Sequence, residues 1–391
     1  MNSTPETGLP APDADSARHS LRVSEYLRQR IGSGSISFAE FMQEVLYAPG
    51  LGYYVAGNRK FGGDGDFVTA PEISDLFGFV IATQLAPVLR SIEGGVILEP
   101  GAGSGALAVS LLRRLAELDT LPERYQILEI SPELRQRQRE RFTVELPELG
   151  ERIEWIAEIP TSFSGVVLAN EVADAIPVER FRIDNGDVMQ ARVSVQDERF
   201  AWSYEPAPAF LTNAVREIEA DLGSQLPHGY VSEVSTGLRT WVKDLCAAID
   251  CGLLLLSDYG VSRREYYAPD RNDGWLRCHF RHRAHNDPLI LPGIQDLTAW
   301  VDFSLVAGMA AEGGMTVAGF DSQANFLMHG GLEMAMVDFV ELPMERQVEL
   351  SAHTRLLTLP GEMGENFKFL GLCRQVAGPP VFEVTDRAHL L

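Results

Sequence analysis

The sequence predicts an α/β fold, a parallel sheet with helices on both faces, and three observations predict it. From Gly95 onward, short apolar runs alternate with helical runs, the order of repeated strand–helix–strand units. A glycine turn, Gly101-x-Gly103-x-Gly105, joins the first apolar run to a helix. The run Cys251–Ser257 is the most apolar, as expected of a central strand buried on both faces.

Taken in order, residues 1–17 are rich in Pro, Ser, Thr, Ala and acids and read as a disordered tail. An N-terminal helical or lid segment follows over 18–93. Its first helix spans Leu21 to Ile31. The second starts at Ser37, where Ser37-Phe38-Ala39-Glu40 matches a capping box. After a Gly- and aromatic-rich loop, Pro71 opens a helix reaching about Arg90.

Residues 94–177 and 236–391 form the sheet-bearing core. Its strands are Val96–Glu99, Tyr125–Ile130, Ile153–Ile156, Val166–Ala169, Cys251–Ser257, Met315–Gly319 and Phe367–Leu372. Two β-rich insertions interrupt it. Residues 178–235 hold a β-meander, with a hairpin at Asn185-Gly186, and a helix. The meander has two readings, a substrate shelf or a dimer surface. The second insertion, 259–300, is loop-rich.

Composition bounds the function. The chain has 391 residues, 45% of them hydrophobic, with no apolar run long enough to span a bilayer. A polar, acidic start and four unevenly spaced cysteines fit a cytoplasmic protein with free thiols. A net charge of −22 repels nucleic acid and suits solubility or a basic protein substrate. Cys278-His279-x-x-His282-x-x-His285 does not match structural zinc spacing, so no metal is expected.

Two cofactors fit the strand–glycine turn–helix layout. Gly101, Gly103 and Ala106 also satisfy a dinucleotide fingerprint. S-adenosylmethionine is favoured by the early Gly105 and by Glu99. That acid suits an amino-acid ammonium and repels a pyrophosphate. Glu129, ending the next strand, suits ribose hydroxyls of either cofactor. Further on, an apolar strand delivers Asn170 and Glu171 at its carboxyl end, where ligands bind in open α/β sheets. The same residues also suit a helix N-terminus.

Asn170-Glu171-x-x-Asp174-Ala175-x-Pro177 resembles the signature of the MidA-like methyltransferases. These are bacterial relatives of a mitochondrial complex I assembly factor, a protein arginine methyltransferase. The resemblance takes in Pro49–Tyr54, Gly65–Ser74, Glu99–Gly105, Asp258-Tyr259-Gly260, Cys278-His279, Asp296-Leu297-Thr298 and Met363–Lys368. It implies a Rossmann-like class I methyltransferase sheet. It implies cofactor binding by Glu99, Gly101, Gly103, Gly105 and Glu129; Ala102, Ile130 and Asn170 are further cofactor-binding candidates. It places Asp66, Thr69 and Glu72 in a lid. Asp258 is a substrate-side candidate, and His279 a substrate-side or structural hydrogen-bonding residue. It implies an arginine substrate in a partner protein, a respiratory-complex subunit among the candidates, and leaves a homodimer open. An arginine nucleophile is always protonated at neutral pH, so carboxylates must hold it as its proton departs. Glu171 and Asp174 are the catalytic candidates, with Asp66, Glu72 and Asp258 in reserve. Two other readings stay open: a non-catalytic cofactor-binding assembly factor and a nicotinamide-dependent oxidoreductase.

Overall fold

The structure, a computed structural model, describes residues 8–56 and 69–391. The chain divides into two units. One comprises Thr69–Asp174, Gly237–Tyr266 and Trp300–Leu391. The other takes residues 8–56 with Ala175–Thr236 and Tyr267–Ala299.

The first unit is built on one sheet. From one edge its strands run Ile153–Ile156, Tyr125–Leu128, Val96–Pro100, Phe163–Asn170, Ile249–Val261, Phe367–Arg374 and Thr316–Ser322. Numbered along the chain, that order is 3-2-1-4-5-7-6. Phe367–Arg374 runs antiparallel to both neighbours, and the other pairings along this order are parallel. Val301–Asp302 adds a short parallel pairing to the end of Ile249–Val261.

The order reverses direction between Val96–Pro100 and Phe163–Asn170. In open α/β sheets such a reversal opens a crevice at the carboxyl ends of the neighbouring strands. The expected central strand is central: Leu255 faces Leu168 on one side and Gly371 on the other. Leu253 to Leu256 are fully buried, each side chain stabilising the fold by about 1.5–3 kcal/mol relative to exposure. On the sheet, the rings of Phe326 and Phe369 stack with centroids 3.9 Å apart. Gly78 lets helix Asp75–Arg90 approach Ala106–Glu117, since a Cβ there would lie 1.9 Å from Ser110 Oγ.

The second unit holds the insertions. Strands Glu179–Asp184 and Asp187–Gln196 pair antiparallel and close at Asp184 opposite Asp187. Asn185 (φ 49°) and Gly186 (φ 90°) between them are both left-handed, as a two-residue type I′ turn demands. Arg199–Pro206 continues the meander; Val231–Val234 and Ser35–Ser37 complete the sheet. A second sheet, Arg283–His285, Leu276–Phe280 and Asp296–Ala299, occupies the later insertion. Helices Ala14–Ile31 and Phe38–Tyr47 bury Val23, Leu27, Phe38, Phe41 and Leu46 in this unit's core. The Ser37 capping box forms with both of its hydrogen bonds.

Several strand limits shift by a few residues from the sequence reading, and two helices differ more. The first helix starts at Ala14, within the stretch read as tail, because Asp13 Oδ1 accepts the N–H groups of Asp15 and Ser16. The helix opened by Pro71 ends at Ile73. Ser74 is extended there and caps a new helix, Asp75–Arg90, through the Leu76 N–H.

Candidate functional site

The crevice at the order reversal collects most of the expected site residues. Strand Val96–Pro100 ends on the glycine turn. Gly101, Gly103 and Gly105 have φ values of 64°, 53° and 83°, a left-handed series that side chains with a Cβ resist. Gly105 is also crowded: a Cβ there would lie 2.7 Å from the Phe142 ring. Helix Ala106–Glu117 starts directly after it with no side-chain cap. Its first N–H groups are therefore left to backbone turns or a ligand.

Glu99 is buried at the end of this strand and accepts the Tyr125 hydroxyl at 2.7 Å. Burial pushes its carboxyl up to about 7; the Tyr125 bond opposes that shift and the charge of Glu129 adds to it. Glu129 is buried too. It accepts the Ser131 N–H at 2.8 Å and faces the Gln138 amide at 3.3 Å. The next residue, Ile130, is 57% exposed.

Strand Phe163–Asn170 supplies the other side. Asn170 Nδ2 donates to Glu171 Oε1 at 3.1 Å, and the Ala70 N–H reaches the same oxygen at 3.3 Å. Glu171 has φ 52°, and its N–H donates to Ser257 O. A left-handed conformation is uncommon for glutamate and concentrates at functional sites. Asp174 is buried three residues on.

Asp258, expected on the substrate side, has a different surrounding. One of its oxygens accepts the N–H groups of Val172, Ala173 and Asp174, and the other that of Tyr259. Burial, then the charge of Glu171, push this carboxyl up to about 8, against the pull of those amides. Glu72 accepts the Ser104 hydroxyl and lies 3.8 Å from Arg141, so it tethers its short helix to the glycine turn. Thr69 precedes that helix without capping it.

His279 belongs to the other unit. It lies opposite Asp296 and Ala284 in the small sheet, and burial, then His285 and Arg277, lower its pKa. Asp66 lies outside the described residues. Among the described residues no group of three or more His, Cys, Asp or Glu is arranged to hold a metal.

This arrangement has relatives. A family model for S-adenosyl-L-methionine-dependent methyltransferases matches residues 80–321. The mitochondrial protein arginine methyltransferase NDUFAF7 homolog of Drosophila melanogaster is 31% identical over 92% of this chain and 87% of its own. The NDUFAF7 enzyme of Danio rerio is 30% identical over 88% and 84%. A crystal structure from Burkholderia thailandensis, assigned as a methyl transferase and bound to S-adenosyl-homocysteine, is 36% identical. It superposes with a TM-score of 0.91 over 98% of this chain and all of that one. The chain belongs to this methyltransferase family.

S-adenosyl-L-methionine is thus the cofactor of this methyltransferase, and the dinucleotide alternative falls away. The residues fit it. Asn170 Oδ1 is buried without a hydrogen-bond partner among the described residues, an acceptor that a ligand's donor can satisfy. Ile130 offers an apolar surface for an adenine ring beside a carboxylate suited to ribose hydroxyls. Glu99 complements an ammonium group.

Sequence reasoning passed over Gln138. Its Nε2 donates to Gly103 O at 2.8 Å and its Oε1 accepts the Trp155 indole N–H at 2.8 Å. It is fully buried and joins the glycine turn to Glu129. The signal was present in the spacing of Leu134, Gln138 and Phe142, four residues apart, the buried stripe of helix Pro132–Glu145.

Proposed function

We propose that the chain methylates an arginine side chain of a partner protein, with Glu171 and Asp174 holding the guanidinium. The observation that carries this is the placement of Glu171: a carboxylate in a left-handed conformation at the carboxyl end of Phe163–Asn170, beside Asn170 and next to Val172, whose side chain lies against Gly101 of the glycine turn. The names of the curated relatives, protein arginine methyltransferases, support the substrate class. The resemblance to relatives of a complex I assembly factor supports a respiratory-complex subunit as the partner.

Bound S-adenosylmethionine supplies an electrophilic methyl group and leaves as S-adenosylhomocysteine. The chain's own task is positioning and proton transfer. In this reading Glu99, Glu129 and Asn170 hold the cofactor. The carboxylates of Glu171 and Asp174 pair with the cationic guanidinium and fix one nitrogen. One of them accepts the proton that nitrogen loses, and passes it to solvent. No covalent enzyme intermediate is required.

The test is transfer of a labelled methyl group into protein from cells lacking the gene, followed by hydrolysis and detection of methylarginine. Glu171→Gln is expected to lower turnover about 100-fold or more, while S-adenosylhomocysteine affinity stays within about threefold. Lost cofactor affinity in that variant would move Glu171 into the cofactor shell. Label in a residue other than arginine would overturn the substrate class. Partner function retained by an inactive variant would favour a non-catalytic assembly factor.

A further inference from the structure

Between Gly331 and Leu350 the chain carries apolar side chains on two sides. Met336, Phe339 and Leu342 pack against the hydrophobic core of their unit. Met334, Val337, Val340, Met344 and Val348 are instead 48%, 76%, 80%, 71% and 62% exposed. One such residue on a surface needs no explanation, but five within fifteen positions concentrate exposed apolar surface of the kind found at interaction sites. The segment is held in place. Gln347 donates to Leu342 O at 2.8 Å and to Val340 O at 3.4 Å, fastening the turn before helix Met344–Thr358 onto its first turns. Met344 and Val348, four apart on that helix, share a face.

The rim of the patch is acidic. Glu333, Asp338, Glu341 and Glu345 are all exposed and form no ion pair among the described residues. Glu349 is paired with Arg346 at 2.7 Å. This charge selects among occupants. A second copy docked about a two-fold axis would set the acidic rim against itself, on chains of net charge −22. An anionic membrane surface would be repelled in the same way. A basic partner meets no such opposition. The methionines, flexible and polarizable, suit a surface that must adapt to an irregular apolar face.

We propose that this patch docks a basic amphipathic segment of the partner protein. The apolar side of that segment lies on Val337, Val340 and Met344, and its Lys or Arg residues lie against Glu333, Asp338, Glu341 and Glu345. The proposal rests on the reading of a protein substrate and adds a docking surface by which this chain recognises it.

Binding tests it, read separately from turnover. A synthetic amphipathic helix of Leu and Lys and its Leu and Glu counterpart are titrated onto the full chain by fluorescence anisotropy. The Leu/Lys peptide binds and the Leu/Glu peptide does not. The triple variant Val337→Ser, Val340→Ser, Met344→Ser weakens binding about tenfold or more, and Glu341→Lys with Glu345→Lys does the same. Both variants keep the melting temperature and the S-adenosylhomocysteine affinity, since every altered side chain is exposed.

Failure of the Leu/Lys peptide to bind, equal binding of both peptides, or undiminished binding by the variants overturns the proposal. A wild-type dimer that the triple variant dissociates in sedimentation also overturns it, by giving the patch to a second copy. Because no methyl transfer is read, lost peptide binding leaves arginine methylation standing, and absent methyl transfer leaves the docking result standing.

Discussion

The carboxylate of Asp258 accepts the backbone N–H of Asp174 at 3.2 Å, and with the same oxygen those of Ala173 at 2.9 Å and Val172 at 3.2 Å. Its other oxygen takes the Tyr259 N–H at 2.8 Å. One side chain on strand Ile249–Val261 thereby fixes the backbone that carries Glu171 and Asp174. Asp258→Asn keeps the size but replaces one acceptor with a donor. Either three amides or the fourth then face an NH2 group in a buried place, at about 1–3 kcal/mol of lost stability. The loop also loses its fixed geometry. Methyl transfer at saturating cofactor is expected to fall about 100-fold, with S-adenosylhomocysteine affinity changed less than about threefold. Single-turnover rates and isothermal titration separate the two. Unchanged turnover would show that the clamp has no bearing on the chemistry.

Glu99 predicts a pH dependence of cofactor binding. Without cofactor its carboxyl is raised by burial to about 7. A bound ammonium favours the ionised form, so binding below that pH releases a proton. Affinity then rises with pH, by at most about tenfold per unit, and levels off above 7. In the free protein the sign is opposite. The unfolded chain ionises this group near 4.5 and the native chain near 7, so its contribution to stability falls as pH climbs between the two, by roughly 3 kcal/mol in all. Calorimetry in buffers of different ionisation enthalpy measures the released proton. Glu99→Gln should bind more weakly at pH 8 and show no proton release near neutrality. A flat affinity profile in the unmodified protein would remove Glu99 from the ammonium.

Much of this architecture was legible in the sequence because its signals are local. The Ser37 capping box, the Asn185-Gly186 turn, the glycine series after Val96–Pro100 and the apolar run around Leu255 each report a conformation through their own residue types. What escaped depends on tertiary surroundings. From the sequence Asp258 is expected on the substrate side. Only the arrival of the 172–174 backbone makes it a clamp. Gln138 sits in the charged segment Pro132–Glu145, where its burial comes from Trp155 and the glycine turn, both distant in sequence. The break at Ser74 was masked because Pro71 and the apolar stretch after it both favour helix, and a single serine carries the interruption.

The glycines separate conformational cost from function. Gly105→Ala forces a Cβ to 2.7 Å from the Phe142 ring in a left-handed backbone, within the glycine turn proposed to bind cofactor. It should destabilise by about 2 kcal/mol or more and abolish cofactor binding. Gly186→Ala meets the same left-handed backbone, with nothing within 4 Å of the added carbon. It should cost about 1 kcal/mol and leave binding intact. Melting curves with and without S-adenosylhomocysteine tell the two apart. A ligand-induced rise in melting temperature surviving in Gly105→Ala would mean that the turn tolerates displacement.

Gln138 offers a test of how the glycine turn is held. Its amide is the link between Gly103 O, Glu129 and the Trp155 indole. Gln138→Leu fills the same space with a similar volume and removes all three hydrogen bonds. Gly103 O, Glu129 and the Trp155 N–H are then each short of a buried partner, so the turn and the Glu129 carboxylate lose their common support. Cofactor affinity should fall about tenfold. Turnover at saturating cofactor should stay within about threefold, since neither Glu171 nor Asp174 touches this network in the hydrogen bonds that define it. Gln138→Glu separates charge from shape: it keeps the acceptor for Trp155 but sets a second carboxylate against Glu129, and should bind cofactor more weakly than Gln138→Leu. If Gln138→Glu binds as well as the unmodified protein, the support of the turn comes from packing rather than from the amide.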